Sequence, residues 1–210
     1  MSAHHLAGPA SPDPETAARA LATELLGDLG DRWDHTRAVA ARAALAAAVL
    51  PVEQVPALMS AAWLHDVGYA APVRDTGFHP LDGARFLQAR GWDPLVVGLV
   101  AQHSAGRFVA EVRGLGAELE AFDDPAFVTG PLPDALIYAD QTISADGHVL
   151  DVETRLADML RRHGPDSPNA RCHALRAPVL RAAVARTEAR LVRRLPTAGD
   201  RSTRAGRLPA

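Results

Sequence analysis

Residues 61–70 read AAWLHDVGYA and place a histidine and an aspartate side by side, His65-Asp66, after a run of apolar residues. The apolar run predicts a buried helix that begins near residue 52 and carries the pair close to its end, with Gly68 stopping it. A buried histidine next to a buried aspartate is costly unless another group uses both side chains. A divalent cation would use both, because imidazole offers a nitrogen and the carboxylate offers a charged oxygen.

The composition fits one soluble domain. The chain has 210 residues, of which 48% are hydrophobic, and a formal net charge of -3, which allows a sizeable core and gives no positive excess for a nucleic-acid polymer. No apolar run approaches the roughly 18 residues of a membrane span, and no signal peptide is recognisable. The single cysteine, Cys172, excludes an internal disulfide and favours a reducing compartment. We therefore expect a cytoplasmic protein that binds neither nucleic-acid polymers nor membranes, with its oligomeric state left open.

Helical periodicity recurs along most of the chain, and no strand-like alternation extends beyond a few residues. Loop signals stand at residues 123–125 and 130–133. The expected helices cover residues 14–26, 31–50, 52–66, 81–90, 95–103, 134–140, 152–163 and 172–194, with shorter pieces near 108–113 and 115–122. We predict an all-α fold, a single-domain helical bundle over residues 14–196, between disordered segments at 1–13 and 197–210.

Several ionisable residues stand where a helix would bury them. His35 shares a helical face with Val39, and Asp140 ends the apolar run that begins at residue 134. His79 precedes a proline at the entry to a helix, and His103 ends an almost wholly apolar helix. Together with the pair at 65–66, the candidate metal ligands are His35, His65, Asp66, His79, His103 and Asp140.

The order His…His-Asp…Asp, formed here by His35, His65-Asp66 and Asp140, resembles the HD-domain superfamily of metal-dependent phosphohydrolases over about residues 15–165. The resemblance implies a helical fold in which these four residues bind one divalent metal ion. His79 and His103 are similar to the extra histidines of the subgroups with two metal ions, in which Asp66 would bridge the ions. Those subgroups include dinucleoside polyphosphate hydrolases, cyclic dinucleotide phosphodiesterases and the di-iron oxygenases related to myo-inositol oxygenase.

Two features depart from the family pattern. Many family members have a lysine shortly after the His-Asp pair, whereas all 22 basic residues of this chain are arginines. A cationic group that assists catalysis must therefore be arginine or histidine, and we take Arg74 and Arg107 as the candidates. The Gly-Tyr-Pro signature of the cyclic dinucleotide enzymes is absent, which argues against that substrate.

The donor set suggests the chemistry. Imidazole and carboxylate favour Fe, Mn, Co, Ni or Zn over Mg, at one or two ions per chain. A metal-activated water would attack phosphorus, with Asp66 as a catalytic residue that also holds the water, and with Ser104 and Thr142 as hydrogen-bond donors to the ligands. The expected function is hydrolysis of a phosphoester or phosphoanhydride in a small phosphorylated substrate such as a nucleotide. Two alternatives stay open: a di-iron oxygenase that cleaves a C–C or C–P bond, and a non-catalytic binding or signalling domain stabilised by metal.

The remaining polar residues have simpler interpretations. We expect three histidines that lie among polar residues to be at the surface: His148, His163 and His173. The arginines of the last helix should form a solvated face: Arg181, Arg186, Arg190, Arg193 and Arg194.

Overall fold

Helix α3 (Val55–Leu64) lies at the centre of the fold in the computed structural model, which describes residues 13–194. Every residue from Leu58 to Leu64 is buried, as expected for a helix that is apolar on all sides. The helix therefore has other elements around its whole circumference, and the His65-Asp66 pair follows directly at its end.

Helices make up nearly all the regular structure of residues 13–194. In chain order they are α1 (Pro14–Leu26), α2 (Asp31–Ala46), α3, α4 (His79–Ala89), α5 (Pro94–Gln102), α6 (Gly106–Arg113), α7 (Gly116–Leu119), α8 (Pro125–Val128), α9 (Pro131–Gln141), α10 (Val152–His163), α11 (Pro168–Arg171) and α12 (His173–Arg194). This part of the chain contains no strand, only an isolated antiparallel bridge between Ile143 and Val149. The predicted all-α single-domain fold is confirmed, whereas the predicted disordered segments, apart from residue 13, lie outside the described residues.

Helices α1, α2, α5 and α9 pack around α3, and α12 covers α9. None of the helices in residues 13–194 combines the length and the hydrophobicity that crossing a membrane requires. Where α12 covers α9, buried Asp134 accepts hydrogen bonds from Arg186 at 2.9 and 2.5 Å and from Arg190 at 2.7 Å. The expected solvated arginine face is therefore wrong at Arg190, which is partly buried, whereas Arg186 remains exposed while it holds the carboxylate.

Several helix boundaries differ from the expectation, and α8 and α11 were not expected. Helix α9 begins at Pro131 instead of residue 134, since proline is tolerated in a first turn, where a backbone N–H has no acceptor within the helix. Helix α8 occupies a predicted loop and is capped by Asp124, whose carboxylate accepts a hydrogen bond from the backbone N–H of Ala126 at 2.8 Å. Helix α4 includes His79 as its first residue.

Gly68 does not stop α3, which already ends at Leu64. Gly68 lies in a 3₁₀ turn, residues 67–69, and its φ is not in the left-handed region of a helix-ending glycine. A Cβ at this position would lie 2.1 Å from the carbonyl oxygen of His79 and 2.7 Å from its Cα. Glycine is needed here because the backbone segments that carry Asp66 and His79 pass each other in direct contact.

Candidate metal centre

The six predicted ligands line or adjoin one pocket, although they come from five separate segments of the chain. One lies in α2, two follow α3, and one each comes from the start of α4, the end of α5 and α9. Five of them are at most 5% exposed, and the sixth, His79, has a side chain that is 23% exposed. The structure thus brings together residues that are up to 105 positions apart in the sequence.

Two groups of potential metal ligands share Asp66. The first group comprises His35, His65 and Asp66, and the second group comprises Asp66, His79 and His103. Within each group the ligand atoms lie within 4.8 Å of one another. Each group could therefore hold a metal ion, with a carboxylate common to both.

Asp140 lies beside the first group. Its Oδ1 is 3.1 Å from Nε2 of His35, while its Oδ2 accepts hydrogen bonds from Oγ of Ser104 and, at 2.9 Å, from Nε2 of Gln141. Burial alone would raise the pKa of Asp140, but the hydrogen bond with His35 and the charges around it hold this pKa well below its usual range. Ser104 and the next residue, Ala105, both have a φ of 53°, a conformation that is costly for residues other than glycine.

Backbone carbonyls fix the orientation of three of the histidines. The contacts are His35 Nδ1 to Ser144 at 2.8 Å, His65 Nδ1 to Ala62 at 2.9 Å, and His103 Nδ1 to Val100 at 2.6 Å. A carbonyl oxygen only accepts, so each Nδ1 must donate, and in the neutral ring Nε2 then carries a lone pair.

The free ring nitrogens face one another in pairs. Nε2 of His35 and Nε2 of His65 are 3.4 Å apart, and Nε2 of His79 and Nε2 of His103 are 3.2 Å apart. Nε2 of His35 also lies 3.1 Å from Oδ1 of Asp140, and Nε2 of His79 lies 3.3 Å from Oδ1 of Asp66, so each pair of nitrogens needs a proton or a cation between or beside its members. The donor set therefore fits a transition-metal ion, which prefers imidazole nitrogen together with carboxylate oxygen.

Charges and burial set the protonation of the shared carboxylate and its neighbours. Burial alone would raise the pKa of Asp66, but the charges of Arg32 and His65 hold it well below the usual range of a carboxyl group. Burial lowers the pKa of His79 well below its usual value, and it lowers that of His103 to about 4 with help from the charge of His65. At neutral pH the centre thus offers a carboxylate and two neutral imidazoles in its second group.

Arg32 is a site residue that the sequence analysis missed. Its Nη1 donates to Oδ2 of Asp66 at 2.5 Å, and its guanidinium lies 4.2 Å from the centre of the Tyr69 ring. The Tyr69 ring stacks on His79 with a centroid distance of 4.1 Å. Arg32 precedes His35 by three positions in the same helix, and that spacing alone places both on one face.

The predicted catalytic arginines do not line the pocket. Arg74 is exposed and donates to the backbone oxygen of Tyr69 at 3.2 Å, while Arg107 is exposed in the first turn of α6. Thr142 also lies outside the ligand contacts, since its hydroxyl donates to the backbone oxygen of Tyr138. Their position in the sequence near the candidate ligands suggested these three residues, but none of them lines the pocket.

The pocket next to the two ligand groups has a volume of about 290 Å³ and a cationic lining. Its carboxylates are Asp66 and Asp140, whereas five arginines line it: Arg32, Arg113, Arg155, Arg162 and Arg176. Exposed His163 lies at the same pocket, while His148 is exposed elsewhere and His173 is partly buried. The pocket therefore carries more positive than negative side-chain charge, which favours anionic ligands.

Comparison of the chain with protein-family models, with curated proteins and with solved structures gave no match. The function of the pocket has to be inferred from its own geometry. Two features are the most informative: paired imidazole nitrogens around a shared carboxylate, and an arginine-rich wall beside them.

Proposed function

We propose that this protein is a metal-dependent phosphohydrolase that binds a divalent transition-metal ion in each of its two ligand groups, with Asp66 common to both. The observation that carries the proposal is the facing of the Nε2 atoms, 3.4 Å apart in the first group and 3.2 Å apart in the second. The residue order His…His-Asp…Asp, similar to that of HD-domain phosphohydrolases, supports it, with Asp140 completing the first group.

The side chains of this pocket would hold and orient the reacting groups. Divalent cations supply Lewis acidity, which lowers the pKa of water and offsets negative charge on phosphoryl oxygens. Arg32 holds Asp66 through its bond to Oδ2, and Ser104 holds Asp140 in the same way. Both contacts keep the carboxylates directed toward the imidazoles, as outer contacts of metal ligands do, and the charge of Arg32 also keeps Asp66 ionised.

The arginine wall indicates the substrate class. Five arginines and two carboxylates line a cavity of about 290 Å³, a volume near the lower end for sites that enclose small molecules. Guanidinium groups bind phosphate with two parallel hydrogen bonds. A small phosphoester or phosphoanhydride, such as a nucleotide, fits this charge and this volume.

Metal analysis combined with a phosphatase assay tests the proposal. Protein purified without chelator or affinity metal should contain about two transition-metal ions per chain, falling toward one in His79→Ala. Release of nitrophenol from p-nitrophenyl phosphate or of phosphate from nucleotides should require Mn, Fe, Co, Ni or Zn. It should fall to background in His65→Ala and Asp66→Ala, whereas His148→Ala, at an exposed histidine, should keep full activity.

Other outcomes would point to other functions. Undiminished hydrolysis in His65→Ala and Asp66→Ala would refute the proposal. Oxygen consumption by iron-loaded protein without phosphate release would favour a di-iron oxygenase. A metal that raises the melting temperature while no phosphorylated compound turns over would favour a metal-stabilised binding domain.

A further inference from the structure

Arg155 in α10 is a buried cation whose hydrogen-bonding groups are largely unused. The residue is 8% exposed, and its Nε and Nη1 have no hydrogen-bond partner among residues 13–194. Its Nη2 lies 3.7 Å from Oδ1 of Asp140, which is too far for a hydrogen bond. Because an unsatisfied buried donor costs free energy, this arginine is poised to bind a further group.

Asp140 does not satisfy the hydrogen-bond donors of Arg155. Its oxygens are already engaged by His35, Ser104 and Gln141. A carboxylate with these contacts, and with a metal ion close by in the proposed function, has little capacity left for a guanidinium at 3.7 Å. Arg155 lines the pocket, so its guanidinium remains for a ligand that enters there.

Arg176 in α12 provides a second cation at the same place. Its Nε donates to the backbone oxygen of Ser104 at 2.8 Å, and its Nη1 donates to Oδ1 of Asn169 at 2.9 Å. Both acceptors are uncharged, so these bonds fix the guanidinium without neutralising it. Since Ser104 also bonds to Asp140, Arg155 and Arg176 lie next to the same ligand of the proposed metal centre.

Arg162, at the outer end of this arginine wall, differs from Arg155 and Arg176 in having a carboxylate partner. Arg155, Met159 and Arg162 line the pocket from one face of α10, and seven residues of helix place Arg162 about 10 Å from Arg155 along the axis. Arg162 is paired with Asp158 at 2.7 Å. Of the three arginines Arg155, Arg162 and Arg176, the two at the inner end of the wall, Arg155 and Arg176, thus have no carboxylate within hydrogen-bond distance.

We propose that Arg155 and Arg176 form an anion subsite that binds a second phosphate of the substrate while the first lies at the metal ligands. The position of the first phosphate rests on the proposed function, whereas the subsite follows from the two arginines. The subsite would favour a substrate with two or more linked phosphates, such as a nucleoside diphosphate, over a monoester with a single phosphate. The planar guanidinium of Arg155 would supply two parallel N–H donors to phosphate oxygens.

Pyrophosphate is the probe for this subsite. Isothermal titration of metal-free protein should show pyrophosphate binding that becomes about 10- to 100-fold weaker in Arg155→Met, as expected for the loss of hydrogen bonds between charged groups. Arg161→Met is the matched control, because Arg161 is in the same helix with a side chain that is 76% exposed and should leave binding unchanged. Equal pyrophosphate affinity in folded Arg155→Met and in the unsubstituted protein would overturn the inference.

Kinetics separate this inference from the proposed function. With metal present, Arg155→Met should lower kcat/KM for ADP at least tenfold more than kcat/KM for p-nitrophenyl phosphate. Equal losses would overturn the subsite and leave the phosphohydrolase intact. Absence of any turnover, with pyrophosphate binding still dependent on Arg155, would refute the phosphohydrolase and leave the subsite intact.

Arg155→Lys serves if Arg155→Met does not fold, as judged by circular dichroism. Lysine keeps the charge and most of the bulk but cannot make two parallel hydrogen bonds to one phosphate. At least fivefold weaker pyrophosphate binding is then expected, and unchanged affinity would overturn the inference.

Discussion

In the proposed centre with two metal ions, replacing Gly68 by alanine should empty the second ligand group and leave the first one occupied. Gly68 follows Asp66 by two residues, and its backbone is in contact with the backbone of His79. The first ligand group does not include His79, which lies across that contact. A methyl group at residue 68 would therefore push His79 away from Asp66 while leaving His35 and His65 in place.

The size of the effect follows from the contact distance. A Cβ on Gly68 would lie 2.1 Å from the carbonyl oxygen of His79, whereas ordinary contact begins near 3.4 Å, so the segments must separate by about 1.3 Å. A backbone cannot rotate away as a side chain can, and overpacking of this kind costs about 1–3 kcal/mol. For a domain of this size the melting temperature should fall by about 2–12 °C. Metal ligand distances tolerate about 0.2 Å, so the second ion should be lost.

Elemental analysis and calorimetry on the same preparation test this reasoning. Gly68→Ala should contain about one transition-metal ion per chain instead of two. Gly106→Ala is the control, because its Cβ would come no closer than 3.4 Å to the neighbouring residues, which is an ordinary contact, and it should keep both ions with a small change in melting temperature. Two ions and an unchanged melting temperature in Gly68→Ala would refute the argument, as would loss of both ions from a folded variant.

Two further predictions concern stability. Asp134→Asn should lower the free energy of unfolding by about 1–3 kcal/mol in calorimetry, since a carboxylate that is 2% exposed loses its charged hydrogen bonds to α12. The control Arg181→Gln, at an exposed ion pair, should have little effect. Equal losses of stability in the two variants would contradict the prediction. In metal-free protein the free energy of unfolding should decrease as the pH falls from about 6.5 toward 4, because the pKa of His103 is lowered from 6.5 to about 4 on folding and the unfolded chain binds more protons in that range. Denaturant titrations should show a weaker pH dependence in His103→Asn, and an identical dependence would contradict the assignment.

The sequence predicted the helices and the burial of the candidate ligands because both depend on local patterns. Apolar residues at helical spacing identify buried helices without knowledge of their partners. An ionisable residue on such a stripe is already anomalous before the fold is known, which is why His35 and Asp140 could be named. Both are at most 5% exposed in the structure.

The arginines of the pocket could not be identified in the same way. Arg176 contacts Ser104 across 72 positions of the chain, and no local pattern encodes such a distant contact. Arg155 did carry a signal, since it precedes the buried residue Met159 by four positions and so shares its helical face. The role of Gly68 depends on how closely α4 approaches the turn after α3, which only the assembled fold determines.

Unfavourable local features of different kinds meet around one cavity, and this coincidence is the strongest argument that it binds something. Ser104 has a left-handed φ of 53°, Arg155 has buried donors without partners, and the carboxylates of Asp66 and Asp140 are buried among imidazoles. A fold selected for stability alone would have no reason to gather these costs at one place. A cation at the carboxylates and an anion at the guanidinium would relieve two of them at once. The same ligands would also draw the carboxylates and arginines toward the pocket, so binding should stabilise the whole helical domain.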